Sequence, residues 1–264
     1  MALKFCANLN FLFTESGAGF LEKYRLARKA GFRGVESGFP AGVHLRDLAQ
    51  VKEETGLEHV LMNISTEGPD GMQFGCAALP GGEEQFKKNL EVTIAAAKTL
   101  NCKKIHLMAG KISNESSDDN LKTYIKNLTY AAKMFEKENL IGVIEPINKY
   151  AVPGYFLNNY EKAIDVLNTI NSPCLKLMID IYHLQHIKGN VTYTLKELKP
   201  YIGHIQVAQV PHRHEPGEPG ELDFGYIFKT IAEVGYNDWI GCEYKPKVNT
   251  EAGLDWVAKF GYVL

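Results

Sequence analysis

The sequence is short of the features that mark specialised protein classes. Its five cysteines, Cys6, Cys76, Cys102, Cys174 and Cys242, are odd in number, and none are spaced as CxxC. That pattern excludes a disulfide framework and a zinc finger. Cys6, Cys102 and Cys242 lie in or beside apolar runs, where cysteine serves as a small hydrophobe. No apolar run approaches the roughly 20 residues needed to cross a bilayer, so no membrane partner is expected. The opening stretch MALKFCANLNFLF is interrupted by Asn8 and Asn10 and lacks a small-residue cleavage site, which argues against a signal peptide. The expected setting is therefore reducing and cytoplasmic. Neither sign of charge is in excess: 29 basic residues face 31 acidic ones, for a net −2. The basic residues are scattered, which excludes the phosphate-tracking stripe of a nucleic-acid binder. A dinucleotide fingerprint is missing too, since Gly17-Ala-Gly19 lacks the third glycine.

What the sequence does contain is a regular alternation. Short apolar runs at Lys4–Leu9, Gly34–Ser37, Leu57–Asn63, Lys103–Met108, Ile141–Glu145, Leu175–Ile181, Gly203–Ala208 and Asp238–Cys242 read as strands. Between them, apolar residues recur at helical spacing in Phe20–Ala30, Leu45–Thr55, Glu83–Leu100, Asn120–Glu138, Tyr160–Ile170, Thr194–Leu198, Phe224–Val234 and Glu251–Phe260. Gly31, Gly56 and Gly235 stand where helices stop. Eight strand–helix units in 264 residues leave roughly 33 residues for each, the length of one βα unit with its loops. Strict alternation gives a parallel sheet, and eight units close it. The expected fold is α/β, a single (β/α)8 TIM barrel over residues 1–264 with no linker or second domain. The long glycine- and proline-rich loop 64–82 and the stretch 111–119 have no assigned role.

The fifth run, Leu140–Asn148 (LIGVIEPIN), ends on a carboxylate. Pro146 limits the strand, so Glu145 falls at its carboxyl tip, where barrels carry their chemistry. The next three strands end alike, with Asp180, Gln206 and Glu243 at or near their tips. The four side chains converge on one side of the barrel mouth. Three carboxylates and an amide carbonyl suit Mg²⁺ or Mn²⁺ better than a zinc site rich in thiolate or imidazole. Without the ion, like-charge repulsion pushes at least one carboxylate to hold a proton. His183 and Arg213 follow in the loops that roof the same side, and a guanidinium there can hold a substrate carboxylate by two prongs.

Each residue also has a plainer reading. Asp180 can instead cap the turn that follows it. Gln206 can satisfy a backbone group. His106, at the fourth strand, and His183 can be core histidines with satisfied rings. Glu36, near the second tip, is a distant supporting acid or a salt-bridge partner of Arg33 or Lys4. The His212-Arg-His214 cluster reads as a solvated loop, because no third ligand stands nearby.

Taken together, Ile105–Gly110 (IHLMAG), Glu145–Asn148 (EPIN), Asp180–His183 (DIYH), His204–Ala208 (HIQVA), Arg213–Pro216 (RHEP), Gly220–Leu222 (GEL) and Cys242–Tyr244 (CEY) resemble the hydroxypyruvate isomerase family. That family lies within the xylose-isomerase-like barrels, beside the ketose epimerases. The resemblance covers essentially the whole chain. It implies Glu145 and Glu243 as paired acid/base residues, and a divalent-metal site completed by Asp180 and Gln206. It also implies substrate contacts from His183 and Arg213, with His106 a further candidate. The implied reaction interconverts hydroxypyruvate and tartronate semialdehyde through an enediolate. The expected partner is a small 2-oxo or 2-hydroxy acid, and barrels of this size often self-associate. Three other readings stand beside it: a ketose 3-epimerase, an abasic-site nuclease and a catalytically silent binding barrel. The resemblance places a histidine at position 206 in the epimerases. The nuclease needs more histidine ligands and a basic groove than the sequence offers.

Overall fold

In the computed structural model, residues 3–69, 72–112 and 117–264 are described. Parts of the loop 64–82 and of the stretch 111–119 therefore lie outside the described residues, as does the very start of the chain. Eight parallel strands close into a barrel in sequence order. They are β1 (Lys4–Asn8), β2 (Gly34–Ser37), β3 (Glu58–Asn63), β4 (Lys104–His106), β5 (Ile141–Ile144), β6 (Leu175–Asp180), β7 (Ile202–Val207) and β8 (Trp239–Cys242). Closure is made by β1 against β8, with Phe5 level with Ile240 and Ala7 with Cys242.

Helices α1 (Phe20–Lys29), α2 (Leu45–Thr55), α3 (Glu83–Leu100), α4 (Asp118–Glu138) and α5 (Tyr160–Ile170) follow the first five strands. Helices α6 (Ile181–Ile187) and α7 (Val191–Leu198) follow β6, α8 (Phe224–Glu233) follows β7, and α9 (Asp255–Lys259) follows β8. No helix among the described residues is long and apolar enough to cross a membrane. On α3, Phe86, Leu90, Ile94, Ala97 and Leu100 form the buried face, and the left-handed Asn101 ends the helix. Burying a Leu, Ile or Phe side chain of this kind contributes about 1.5–3 kcal/mol.

Strand parity sorts the core. Phe5, Ala7, Ile105, Ile205, Val207 and Ile240 pack outward into the large cluster shared with the helices. Cys6, Val60, Leu61, Val143, Met178 and Trp239 form a second, smaller cluster. Since residues two apart on a strand share a face, the positions above this inner plug point into the mouth. They are Asn8, Glu36, His106, Glu145, Asp180, Gln206 and Glu243.

Beyond shifts of one or two residues at element ends, the expected elements differ from the observed ones in three places. The run after Asp180 is helical at once. Asp180 is the last residue of β6 and also the cap of α6, its Oδ1 accepting from the Tyr182 N–H at 2.9 Å. His183 therefore sits on a helix and not in a loop. The piece expected from Thr194 begins three residues earlier, at Val191. The closing helix is broken into a 3-10 turn, Ala252–Leu254, and the short α9.

Candidate active site

Glu145, Asp180, His183 and Glu243 bring ligand atoms to within 4.8 Å of one another. Glu145 and Glu243 each stand one residue beyond their strands, while Asp180 is level with Gln206 in the β6–β7 register. Sequence separation is thus converted into one cluster at the β5–β8 side of the mouth. Arg213 closes it. Its Nη2 lies 2.5 Å from Glu243 Oε2 and 3.1 Å from Asp180 Oδ2. Its Nε donates to the Glu243 carbonyl at 3.4 Å. The guanidinium lies between the rings of Phe11 and Tyr182, at 4.6 and 4.8 Å from their centroids.

Arg213 itself is held in the left-handed region, at φ 60°, which costs a non-glycine residue about 1–2 kcal/mol. The loop that enforces this is built around Gln209. Its amide accepts from the N–H groups of Val210 and Leu222 and donates to the carbonyls of Glu218 and Leu222. One buried side chain thereby supplies the pairing that secondary structure would otherwise give.

Burial dominates the electrostatics. It pushes the Glu145 carboxyl well above the usual range, with the Glu243 and Asp180 charges adding to the effect. Burial likewise lifts Glu243 to about 8 and Asp180 to about 6, and in both the Arg213 charge only partly offsets it. A site that resists holding three anions is one that welcomes a second cation. With Arg213 at the wall, a divalent ion brings the formal charge of the three carboxylates to neutrality.

The donor set fits such an ion. Glu145 Oε1 and Gln206 Oε1 are buried and have no hydrogen-bond partner. Unpaired buried oxygens are costly in a fold that has no use for them. Together with Asp180 and Glu243 they make a hard, all-oxygen set suited to Mg²⁺ or Mn²⁺.

His183 belongs to the cluster by distance, with Nε2 3.6 Å from Asp180 Oδ2 and 3.8 Å from Glu145 Oε1. Its chemistry differs. Nδ1 faces the Asn148 backbone N–H at 3.3 Å and the Asn148 Nδ2 at 2.7 Å. The orientation of that amide is fixed, because Asn148 Oδ1 accepts from the N–H groups of Tyr150 and Ala151. Two donors on Nδ1 require it to be an acceptor. Burial, with Arg213 adding to it, holds the ring neutral. The proton therefore sits on Nε2, which points a donor into the site and is not a metal ligand. The 3.5 Å approach of Arg213 Nη2 to the same nitrogen then joins two donors, both aimed at carboxylates.

His106 Nδ1 lies 3.3 Å from Asn63 Oδ1, and burial lowers the ring's pKa to about 3. The ring is neutral, and its Nε2 is buried without a partner, 3.8 Å from Glu145 Oε2. Asn63 also lines a cavity of about 390 Å³ with Asn10, Ser65, Gln73 and Met108, which opens beside the site. A cavity of about 410 Å³ lies between α5 and α7, lined by Tyr160, Ile164 and Leu198.

Asn148 had no role in the sequence reading, and of the two readings of Glu36 the salt bridge is not found. Asn148 orients His183. Glu36 pairs with neither Arg33 nor Lys4; it is sealed inside the barrel and bonded to His204 at 2.6 Å. Burial pushes the Glu36 carboxyl up, yet His204, Gln206 and Asn8 together hold it below the usual range. Lys4 instead lies over the Trp239 ring at 5.0 Å. Strand parity was the available signal, since Glu36 shares the inward face of its strand with Gly34.

Comparison with known proteins agrees with this architecture. The family model described as xylose isomerase-like TIM barrel matches residues 24–260, and the chain belongs to that family. Its relatives include an Escherichia coli (strain K12) hydroxypyruvate isomerase, 40% identical, with 97% of this chain and 98% of that one covered. A Drosophila melanogaster protein provisionally given the same name is 50% identical over the whole of both chains. The chain is an enzyme of this isomerase kind. A Brucella melitensis crystal structure named as a family 2 AP endonuclease superposes with a TM-score of 0.93. It is 35% identical, with 98% of this chain and 99% of that one covered.

Proposed function

We propose that this chain, as one domain over residues 1–264, interconverts hydroxypyruvate and 2-hydroxy-3-oxopropanoate (tartronate semialdehyde) through an enediolate. The observation that carries the reading is the pairing of Glu145 with Glu243 in one cluster with Asp180, beside an unpartnered Gln206 oxygen. The reaction moves a carbonyl one carbon along. It needs a proton taken from the carbon beside the carbonyl and one returned at the neighbouring carbon.

Glu145, Asp180, Gln206 and Glu243 would hold the divalent ion, Mg²⁺ or Mn²⁺. Bound there, it supplies Lewis-acid stabilisation of the charge that develops on the two vicinal oxygens. Each glutamate has two oxygens, so one can face the ion while the other handles a proton. One glutamate takes the carbon-bound proton, and the other returns it or manages the hydroxyl proton. Groups of this kind typically contribute about 10²–10⁴-fold each. In the metal-free protein burial holds both carboxyls above the usual carboxylate range.

His183 Nε2–H donates to a substrate oxygen, and the unpartnered His106 Nε2 is a second substrate contact. Arg213 uses Nε and Nη2 within the protein, which leaves Nη1 to meet a carboxylate. A formal charge of −2 gives no support to a nucleic-acid substrate. Five unpaired cysteines suit a cytoplasmic setting.

The test is turnover. Purified protein, with and without Mg²⁺ or Mn²⁺, is incubated with hydroxypyruvate and separately with ketohexoses, and products are followed by NMR. Conversion of hydroxypyruvate is expected. Epimerisation of a ketose with no conversion of hydroxypyruvate would overturn the assignment, as would cleavage of abasic DNA alone.

A further inference from the structure

We propose that Glu36, which lies beneath the mouth and touches no reacting atom, is the positioning residue that sets which end of the Gln206 amide faces the donor cluster. The inference rests on the reading that Gln206 helps hold a divalent ion.

Glu36 is wholly buried, and each of its neighbours is a donor. Its Oε1 accepts from Gln206 Nε2 at 2.7 Å and from Asn8 Nδ2 at 2.8 Å. Its Oε2 accepts from His204 Nε2 at 2.6 Å, with the Cys6 thiol at 3.6 Å. An ionised carboxylate can only accept. Gln206 must therefore turn its NH₂ downward to Glu36, which sends its carbonyl oxygen into the site, where it is buried and unpartnered. The flipped amide would set an oxygen against a carboxylate oxygen and leave a buried NH₂ aimed at cations. Glu36 thus permits at position 206 only side chains that donate downward and accept upward. A carboxylate at 206 would fail on the first count.

A second arm of the same network reaches Glu243. Asn8 Nδ2 donates to Glu36 Oε1 and, at 3.2 Å, to Glu243 Oε1. The Asn8 amide is itself fixed, because its Oδ1 accepts from the Asn10 N–H at 3.0 Å. One buried anion therefore braces two of the four metal-facing groups. The room it occupies is specific: Gly241 stands level with Gln206 on β8, and a Cβ there would come within 2.3 Å of Glu36 Oε1.

The test is a double-mutant cycle read by Mn²⁺ calorimetry on chelator-stripped protein, with thermal melts as the fold control. Glu36→Ala is expected to weaken Mn²⁺ binding by about 10–100-fold, the usual effect of losing a partner that orients a ligand. Gln206→Ala should weaken it comparably, and the double variant should lose clearly less than the product of the two single losses, the remainder passing through the Asn8–Glu243 arm. Glu36→Gln should restore most of the affinity, since its carbonyl can accept from Gln206 while its NH₂ faces the switched tautomer of His204. Should Glu36→Ala not fold, Gly241→Ala displaces the same carboxylate and is expected to weaken Mn²⁺ by a larger factor with Gln206 present than beside Gln206→Ala. A merely structural role predicts lower melting temperatures with unchanged Mn²⁺ affinity, or penalties that add in full in the Gln206→Ala background. Either result overturns the proposal while leaving the metal reading intact. Wild-type protein that binds neither Mn²⁺ nor Mg²⁺ overturns both.

Discussion

Metal should stabilise this protein strongly at alkaline pH and hardly at all under mild acid. The perturbation is addition of Mn²⁺ to chelator-stripped protein, at a fixed concentration about a hundredfold above its dissociation constant at pH 8.5. Glu243 rises from 4.5 to about 8 on folding, and Asp180 from 3.8 to about 6. Both bind more protons folded than unfolded across that window. The stability they contribute to the metal-free chain is thus complete below about pH 4 and is lost as pH climbs through 6 and then 8. Metal replaces those protons. At pH 8.5 these two groups release few protons, and mass action at a hundredfold excess contributes about 2.7 kcal/mol. A chain of 264 residues unfolds with an entropy near 0.55 kcal/mol/K, so the melting temperature should rise by about 5 °C. At pH 5.5, Glu243 alone, with its pKa near 8, weakens binding by more than about a hundredfold. The shift should then shrink below about 1 °C. Scanning calorimetry at the two pH values measures both numbers. No shift at pH 8.5, or a larger one at 5.5, would refute the argument that these carboxylates exchange protons for metal.

Four substitutions probe the rest of the site. Glu145→Gln and Glu243→Gln should each cut turnover by about 10²–10⁴-fold or more with melting temperatures held, and near-normal turnover of either would sink the acid/base assignment. Asp180→Asn separates two roles. Asparagine caps a helix as well as aspartate does, so α6 should keep its amide-exchange protection while Mn²⁺ affinity collapses; loss of the helix with metal affinity retained would make Asp180 a cap alone. Arg213→Lys keeps the charge but loses the planar fork, so KM for a carboxylate substrate should rise about tenfold or more, and an unchanged KM would remove Arg213 from substrate binding.

The strand tips of β5 and β8 were legible in the sequence because those apolar runs end at a visible break. Glu145 is followed by Pro146, and Glu243 by Tyr244 and Lys245. Eight apolar runs fixed the barrel. Helix α6 was hidden because Ile181-Tyr182-His183-Leu184 continues the apolar character of β6, and a strand and a buried helix look alike over so few residues. Its start depends on the Asp180 cap, which a reader attending to metal ligands assigns elsewhere. Glu36 was harder still. Its inward direction follows from parity, but its partner His204 is 168 residues away and meets it only once the barrel closes. Local charges such as Arg33 were the only partners a linear reading could offer. Arg213 was anticipated at the site but not in its resting place against Asp180 and Glu243. Two buried carboxylates left side by side draw in the nearest cation, and that competition is a property of the assembled mouth.

The junction of β6 and α6 has a consequence for how this scaffold can change. Asp180 ends the strand, caps the helix and faces the site, with no loop residue between. A segment inserted there would move one donor out of the cluster and uncap α6 in the same event. Among their described residues, the long connections after β3 and β4 carry no such double duty. Drift toward new substrates, in nature or in the laboratory, is therefore channelled into those corners, and the sixth stays the length it is.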